Sequence, residues 1–515
     1  MLPAAISIPD DLVGIRVDHR LTATRRGSKG PVRTKQGEDV MADLRQWLAA
    51  VEAIGELRTV NGADPELEIG ALTEINDEKR GPALLFDHIQ GHPAGHRLLS
   101  SALITSSRLG LAMGVEAAPS VRHLLNELAG KAQKWDAGSP KFSPRVVPTG
   151  PVMENICSGN QVDLREFPAP LWNERDGGRY LGTGDVVITR DRDTGIVNLG
   201  TYRMMVHDEK RLGLYISPSH HGYRHLQMYH SEGKPCPVAI SFGHHPVFLV
   251  VGSSALAYGQ SEYEYAGAML QDPIDVIEGP VTGLPFPAHS ELVVEGFVHP
   301  GNRLVEGPFG EYTGYYATGR QEQPVVDVEA VYHRNQPIML GALNAKPPHD
   351  YTLLQCLMKS VLVREALEKA GVPEVKGVWF HEAAAANFLI AVSIRQLYAG
   401  HATQAGTVAI QCQVAATGNG RYVVVVDDDI DPTNLEQVVW ALGTRSNPGT
   451  DISVLHQTFS NKLDPIGPPE GERWRSSRAV INACKPFDRI SQFPPVATAG
   501  EEIRQTVLEK WPEFR

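Results

Sequence analysis

The chain has 515 residues, 42% of them hydrophobic, enough for about three domains that each bury a core. Its 48 Lys and Arg stand against 60 Asp and Glu, a formal charge of −12, and no basic run is long enough to make a nucleic-acid patch. The five cysteines (Cys157, Cys236, Cys356, Cys412 and Cys484) form no C-x-x-C pair and are odd in number, which predicts reduced thiols in a cytoplasmic protein rather than a disulfide framework.

Residues 1–40 carry Arg25-Arg26-Gly27-Ser28-Lys29-Gly30-Pro31 and little hydrophobic periodicity, so a flexible tail is expected, with Met41 as a candidate start. They lack the charged-then-apolar order of a signal peptide, and no apolar run in the chain reaches the roughly 20 residues of a membrane span. After Asp43, the spacing of Leu44, Trp47, Leu48 and Val51 predicts a helix that Gly55 ends. From about Leu72 to Val152 helical and strand signals alternate, and 41–152 reads as an N-terminal α/β part.

Residues 153–341 are rich in short β runs: Asp185–Thr189, Ile196–Val206, Pro237–Ser241, Val247–Val251 and Glu291–Glu295. Asp193-Thr194-Gly195 is placed to turn the first two into a hairpin, and the whole predicts a barrel or sandwich. Within a linker at 342–372, Tyr351–Ala370 reads as a long helix closed by Gly371 and Pro373. Residues 373–515 read as a second α/β domain, with strands at Phe388–Ile394 and Tyr422–Val426 and a helix at Asn434–Leu442 entered through Asp431-Pro432. Ile503, Val507, Leu508 and Trp511 mark a terminal amphipathic helix suited to packing on a partner subunit.

The segment Glu306-Gly-Pro-Phe-Gly-Glu311-Tyr-Thr-Gly-Tyr-Tyr316 sets two carboxylates five residues apart on a stretch whose glycines and proline exclude a regular helix. In such a shaped loop the two can converge, burial and like charge raising one pKa; the alternative is a surface turn with two solvated glutamates. Arg203, on a predicted strand, needs an anion, which Glu306 or a substrate carboxylate would supply; a structural salt bridge is the other reading. Asn198, His220 and Glu262 form an amide, imidazole and carboxylate set that favours Mn²⁺ or Mg²⁺, although a scattered triple of this kind is commonly unrelated surface and capping residues. Asn198 and Arg203 differ by an odd number, so on a straight strand they would face opposite sides, and a shared site requires a bulge or twist. His244-His245 is expected at a strand-end turn, Asp427–Asp431 as a capped loop rather than a cation site, and Cys356 in core packing. No Rossmann fingerprint, P-loop or H-E-x-x-H is present.

Taken together, Asn198-Leu-Gly-Thr-Tyr-Arg203-Met-Met-Val-His-Asp208, Ser219-His220, Ser261-Glu262-Tyr263 and Glu306-Gly-Pro-Phe-Gly-Glu311 follow the order and approximate spacing of the UbiD-like decarboxylases. Glu154–Cys157, Asp427–Asp431 and Trp440–Arg445 extend the resemblance, which runs from about Met41 to the C-terminus. It implies an α+β multidomain fold: an N-terminal α/β part, a central split β-barrel that binds prenylated FMN, a linker helix, and a C-terminal α/β domain used in oligomerisation, with a homodimer or dimer-based assembly. It further implies reversible, non-oxidative decarboxylation of a small aromatic, heteroaromatic or α,β-unsaturated acid, with CO₂ as co-product and a flavin prenyltransferase supplying the cofactor. By position, Asn198, His220 and Glu262 resemble the ligands of an Mn²⁺ held against the cofactor phosphate, with a K⁺ nearby. Arg203, Glu306 and Glu311 resemble the catalytic network, Glu311 being the proton donor, and Thr183, Gly200, Ser219 and Ser253 fall among cofactor contacts.

Ser219 and Gly200 stand where the ferulic acid decarboxylases carry Gln and Ser, and Ala415–Gly420 offers no counterpart to a lysine that meets the cofactor in those enzymes. The polarity of Asn344–Asp350 and of the expected loop His456–Phe459 suggests a heteroaromatic or hydroxylated ring over a bare phenylacrylate. Two rivals are an FMN-dependent oxidoreductase on a split barrel and a non-catalytic binding or assembly protein.

Overall fold

The computed structural model describes residues 43–128, 135, 139–254, 256–467 and 475–514; the expected tail at 1–40 and start at Met41 lie outside them. The first helix runs Leu44–Ala53, with the Asp43 carboxylate accepting from Gln46 N–H at 2.8 Å as its N-cap and Leu44, Trp47, Leu48 and Val51 buried. Gly55 follows with φ +75°, the left-handed geometry its lack of Cβ permits. Beside this helix lies a four-stranded sheet in the order Leu57–Asn61, Ala83–Asp87, Arg97–Ser100, Ile338–Leu340, whose last strand arrives from far along the chain.

The centre is a nine-stranded sheet ordered Tyr180–Gly182, Met204–Val206, Arg211–Leu214, Gln321–His333, Leu292–Glu306, Cys236–Phe242, Val186–Arg190, Val197–Gly200, with Asn155–Ser158 added to Gln321–His333. The hairpin turning at Gly195 pairs Thr189 with Asn198 and Val187 with Gly200, as expected. Strand Val197–Gly200 ends this order and Met204–Val206 is next to its other end, yet only Thr201, Tyr202 and Arg203 separate them. Four residues of extended chain reach at most about 14 Å. The sheet therefore curls until its ends nearly meet, giving a half-barrel with Arg203 on the connection across its seam.

That break corrects the single strand expected over Ile196–Val206, and it removes the problem of Asn198 and Arg203 facing opposite sides. Val247–Val251, expected as a strand, is a helix, Val247–Gly252. All five residues from Val247 to Val251 are buried, and a run apolar on every side carries no period to separate strand from core helix; Pro246 at its start favours the helix.

The long helix spans Asp350–Lys369, where His349 and Thr352 form a reciprocal cap and Cys356 is fully buried. It leads into a five-stranded sheet ordered Val375–Phe380, Leu389–Ile394, Tyr422–Asp427, Arg475–Ala483, Ile452–Phe459. His456–Phe459, expected as a loop, is the end of that last strand, with His456 exposed. The helix expected at Asn434–Leu442 spans Leu435–Arg445, and Asn434 rather than Asp431 caps it, accepting from Gln437 N–H. Arg445 bridges Asp427 (3.1 Å) and Asp429 (2.8 Å) and Lys485 also pairs with Asp429, so the acidic run is neutralised from within. The terminal helix Glu501–Lys510 buries none of its residues, leaving Ile503, Val507 and Trp511 exposed. No helix among the described residues is long and apolar enough to cross a membrane.

Candidate active site

Glu306 ends the strand Leu292–Glu306, paired with Gln321, and the chain leaves the sheet there through Gly307, whose φ of +80° admits glycine readily. The loop is pinned from outside. Gly177 N–H donates to Pro308 O at 2.7 Å, Gly310 N–H donates to Asp176 Oδ1 at 3.2 Å, and a Cβ on Gly177 would fall 1.9 Å from Gly307 O. Glu311 N–H donates to Tyr315 O at 3.1 Å, closing the turn that returns the second carboxylate toward the first.

The two carboxylates meet on Arg203. Its Nε donates to Glu306 Oε1 at 2.7 Å, Nη2 to Glu306 Oε2 at 3.0 Å, and Nη1 to Glu311 Oε1 at 2.7 Å. Tyr180, on the neighbouring edge strand, donates its hydroxyl to Glu306 Oε1 at 2.9 Å. The guanidinium lies over the Tyr215 ring at 3.9 Å and near Phe309 at 5.1 Å. All three charged side chains are under a tenth exposed. Burial alone would lower the Arg203 pKa, but the charges of Glu311 and Glu306 more than offset it and raise it. For Glu311, burial outweighs the opposing pull of Arg203 and pushes the carboxyl above its usual range. One glutamate is thus committed as counter-ion to the arginine, and the other is biased toward its protonated form.

At the seam's other side, Asn198 is buried in its strand with Nδ2 unpartnered among the described residues. Next to it, Leu199 N–H donates to Glu262 Oε2 at 3.3 Å, so the strand and the helix Glu262–Leu270 bring Asn198 and Glu262 together. Burial pushes Glu262 up to about 7, as expected of a carboxylate without a described cation beside it. His220 caps the helix His221–His230; its ring lies 5.3 Å from that of Tyr202, which follows the Asn198 strand by two residues. His220 is exposed as a residue, and desolvation with His221 alongside lowers its pKa, favouring the neutral ring that is able to ligate. The donor set and its orphaned polar atoms suit a hard divalent cation. Among the described residues no group of three or more His, Cys, Asp and Glu side chains is placed to hold a metal; this set contains two such residues and an amide.

Gly200 is required by Tyr202, whose hydroxyl and ring would lie 2.3 Å from any Cβ there. Thr183 is buried; its hydroxyl accepts from Ala342 N–H at 2.9 Å and can still donate. Ser253 caps the helix Val247–Gly252 and donates to Leu249 O at 2.6 Å, while its neighbour Gly252 accepts from Thr201 N–H at 3.3 Å and Ser219 is exposed. His349 is buried, pushed down to about 4 by desolvation, with Nε2 3.3 Å from Tyr312 O, so the linker start packs on the carboxylate loop. Sequence reasoning missed Tyr180, Tyr215 and Phe309, which carry no spacing signal because their role depends on where the curled sheet ends. It also missed Lys462, whose ammonium lies 4.7 Å from the Tyr215 centroid.

Three family models cover this architecture: the N-terminal (48–128), Rift-related (145–347) and C-terminal (352–483) domains of 3-octaprenyl-4-hydroxybenzoate carboxy-lyase. The fold is that of a carboxy-lyase. The chain belongs to the UbiD family. It is 31% identical over 495 residues to pyrrole-2-carboxylic acid decarboxylase of Pseudomonas aeruginosa, covering 92% of this chain and 98% of that one. To phenolic acid decarboxylase of a Streptomyces species it is 33% identical, covering 86% and 92%. The solved structure of the UbiD-class enzyme HmfF from Pelotomaculum thermopropionicum in complex with FMN superposes with a TM-score of 0.80 at 29% identity, covering 90% of this chain and 98% of that one.

Proposed function

We propose that this chain catalyses the reversible, non-oxidative decarboxylation of a small aromatic or heteroaromatic carboxylic acid with prenylated FMN as cofactor. The observation that carries the reading is Arg203 held between a fully committed Glu306 and a Glu311 whose burial favours its proton. Arg203 orients the substrate carboxylate through its remaining N–H groups, and Glu311 gives its proton to the carbon that has lost CO₂. Tyr180 and Phe309 hold this pair in place. The flavin, when bound, supplies the electron sink that no side chain can provide. Asn198, His220 and Glu262 would hold Mn²⁺ against its phosphate, with a K⁺ nearby, and Thr183, Gly200, Ser219 and Ser253 would line it. The names of the relatives favour a pyrrole-type or hydroxylated ring. The division at 41–152, 153–341, 342–372 and 373–515 separates an N-terminal part, cofactor barrel, linker helix and C-terminal domain, the last with an exposed terminal helix suited to a homodimer or dimer-based assembly.

The test is co-expression with a flavin prenyltransferase, followed by incubation with pyrrole-2-carboxylate, hydroxybenzoates and cinnamate. CO₂ release from the first two classes is expected. Unmodified FMN by mass spectrometry, with NAD(P)H oxidation and no CO₂, would replace this reading with that of a flavin oxidoreductase.

A further inference from the structure

Lys462 lies in the C-terminal part of the chain, just beyond the strand Ile452–Phe459, yet it shares the Tyr215 ring with Arg203, at 4.7 Å against 3.9 Å from the centroid. Its segment is built to be there. Asn461 N–H donates to Asn419 Oδ1 at 3.0 Å, Asn419 Nδ2 donates to Asn461 Oδ1 at 2.9 Å, and both side chains lie beside Tyr312, the residue after Glu311, where they oppose the effect of its burial. Asp464 is held by Arg421 at 2.5 Å and by Ser460 at 2.7 Å, fixing the next turn.

No described carboxylate pairs with Lys462 at ion-pair distance, whereas both oxygens of Glu306 are taken by Arg203. The ionisable groups facing it are Arg203, Glu306, Glu311 and Tyr215. Desolvation, with Arg203 alongside, lowers its pKa against the opposing pull of Glu311 and Glu306. Tyr215 and Tyr312 are kept neutral by burial. With Glu311 protonated, Arg203 and Glu306 cancel and the site carries one positive charge, that of Lys462.

Resting on the decarboxylase reading above, we propose that Lys462 is a second substrate-facing cation beside Arg203, delivered from the C-terminal domain: it faces the carboxylate of the incoming acid, then balances the carboxylate left on Glu311. The bond between ring carbon and carboxylate breaks, CO₂ leaves neutral, and the electron pair of that bond ends in the new C–H bond made with the Glu311 proton. Site and substrate together sum to zero before the step. They sum to zero after it as well, with Glu311 ionised opposite Lys462. Once the acid is bound, neither side of the step leaves a buried charge uncompensated.

The experiment uses the cofactor-loaded full chain with Lys462→Met, Lys462→Gln and Lys462→Arg, assayed on pyrrole-2-carboxylate or whichever panel acid the wild type consumes. The Met and Gln variants should keep cofactor content and melting temperature, raise KM and lower kcat each by about tenfold or more, and move the alkaline limb of the rate profile upward because Glu311 loses a neighbouring cation. Lys462→Arg should restore most of the rate. Calorimetry on cofactor-free protein supplies the second readout: wild type should prefer the acid to its carboxamide, and Lys462→Met should lose that preference. Unchanged KM, kcat and pH limb in both neutral variants would overturn the proposal. So would an unchanged carboxylate preference. If wild type releases CO₂ from no acid, the decarboxylase reading fails instead, and the calorimetric comparison still decides whether Lys462 recognises a carboxylate.

Discussion

Glu306 meets Arg203 with both oxygens, at 2.7 Å from Nε and 3.0 Å from Nη2, so a single planar pair fixes the orientation of the guanidinium and leaves Nη1 to reach Glu311. The ring of Tyr215 beneath and the Tyr180 hydroxyl at Glu306 remove the remaining freedom. Lysine cannot reproduce this fork. Arg203→Lys is expected to lose activity by at least about a hundredfold, and Arg203→Ala to cost about 3–5 kcal/mol of stability by stranding buried carboxylates. Steady-state decarboxylation and denaturant unfolding read the two effects separately.

Glu311 carries the proton in this scheme, and replacement by Gln keeps its shape while removing that capacity. Glu311→Gln should retain cofactor and lower CO₂ release by about 10²–10⁴-fold, with loss of solvent deuterium exchange at the product's ring carbon. Turnover at the wild-type rate would show that another group donates. Because burial raises the Glu311 pKa, the donor form persists above the ordinary carboxylate range, and rate should fall as pH rises through that raised value.

Glu262 gives a stability signature independent of turnover. Its pKa rises from 4.5 to about 7 in the folded chain, so the metal-free protein should be most stable below the unfolded value and lose up to about 3 kcal/mol as pH rises through 7. Mn²⁺ should reverse the trend, since it binds the ionised carboxylate and competes with the proton. Melting curves at pH 5 and 8, with and without Mn²⁺, check both signs. His220→Ala and Glu262→Ala should lower metal and cofactor content together.

Tyr180→Phe removes one hydrogen bond to a buried carboxylate and nothing else in volume. It should cost about 1.5–3 kcal/mol and lower kcat more than cofactor content, which unfolding and flavin absorbance would separate.

Gly177→Ala tests whether the carboxylate loop is positioned from outside. Its methyl would lie 1.9 Å from Gly307 O, a backbone atom that cannot turn away, so the loop must shift. About 1–3 kcal/mol of destabilisation and a larger loss in kcat are expected. Gly283→Ala, where no atom lies within 4 Å, is the comparison for the strain of a positive φ alone.

Much of this was legible in the chain. Local period gave the helices at Leu44–Ala53 and Asp350–Lys369, turn chemistry gave the hairpin at Gly195, and the ordered motifs identified the family and named Arg203, Glu306 and Glu311, which the fold brings into contact. Val247–Gly252 was misread because a run buried on every face has no period. Lys462 was invisible because nothing near it in the sequence connects Asn461 to Tyr312.

By itself, then, the sequence determined which side chains are present and which local geometry each can adopt: two carboxylates on a loop that glycine and proline bend, an arginine with no local partner, an amide and a carboxylate able to share a cation. Whether these meet was decided by the tertiary structure. Only the curl of the central sheet brings Gly200, in the last strand of the order, and Met204, in the second, to within a four-residue reach, setting Arg203 on the seam where strand Leu292–Glu306 ends. The physical reason is that pairing across a curled sheet, and the docking of the segment from Ser460 to Asp464 on it, depend on contacts far apart in the chain, such as Arg211 with Asp327 and Lys462 with Tyr215, for which no local pattern exists.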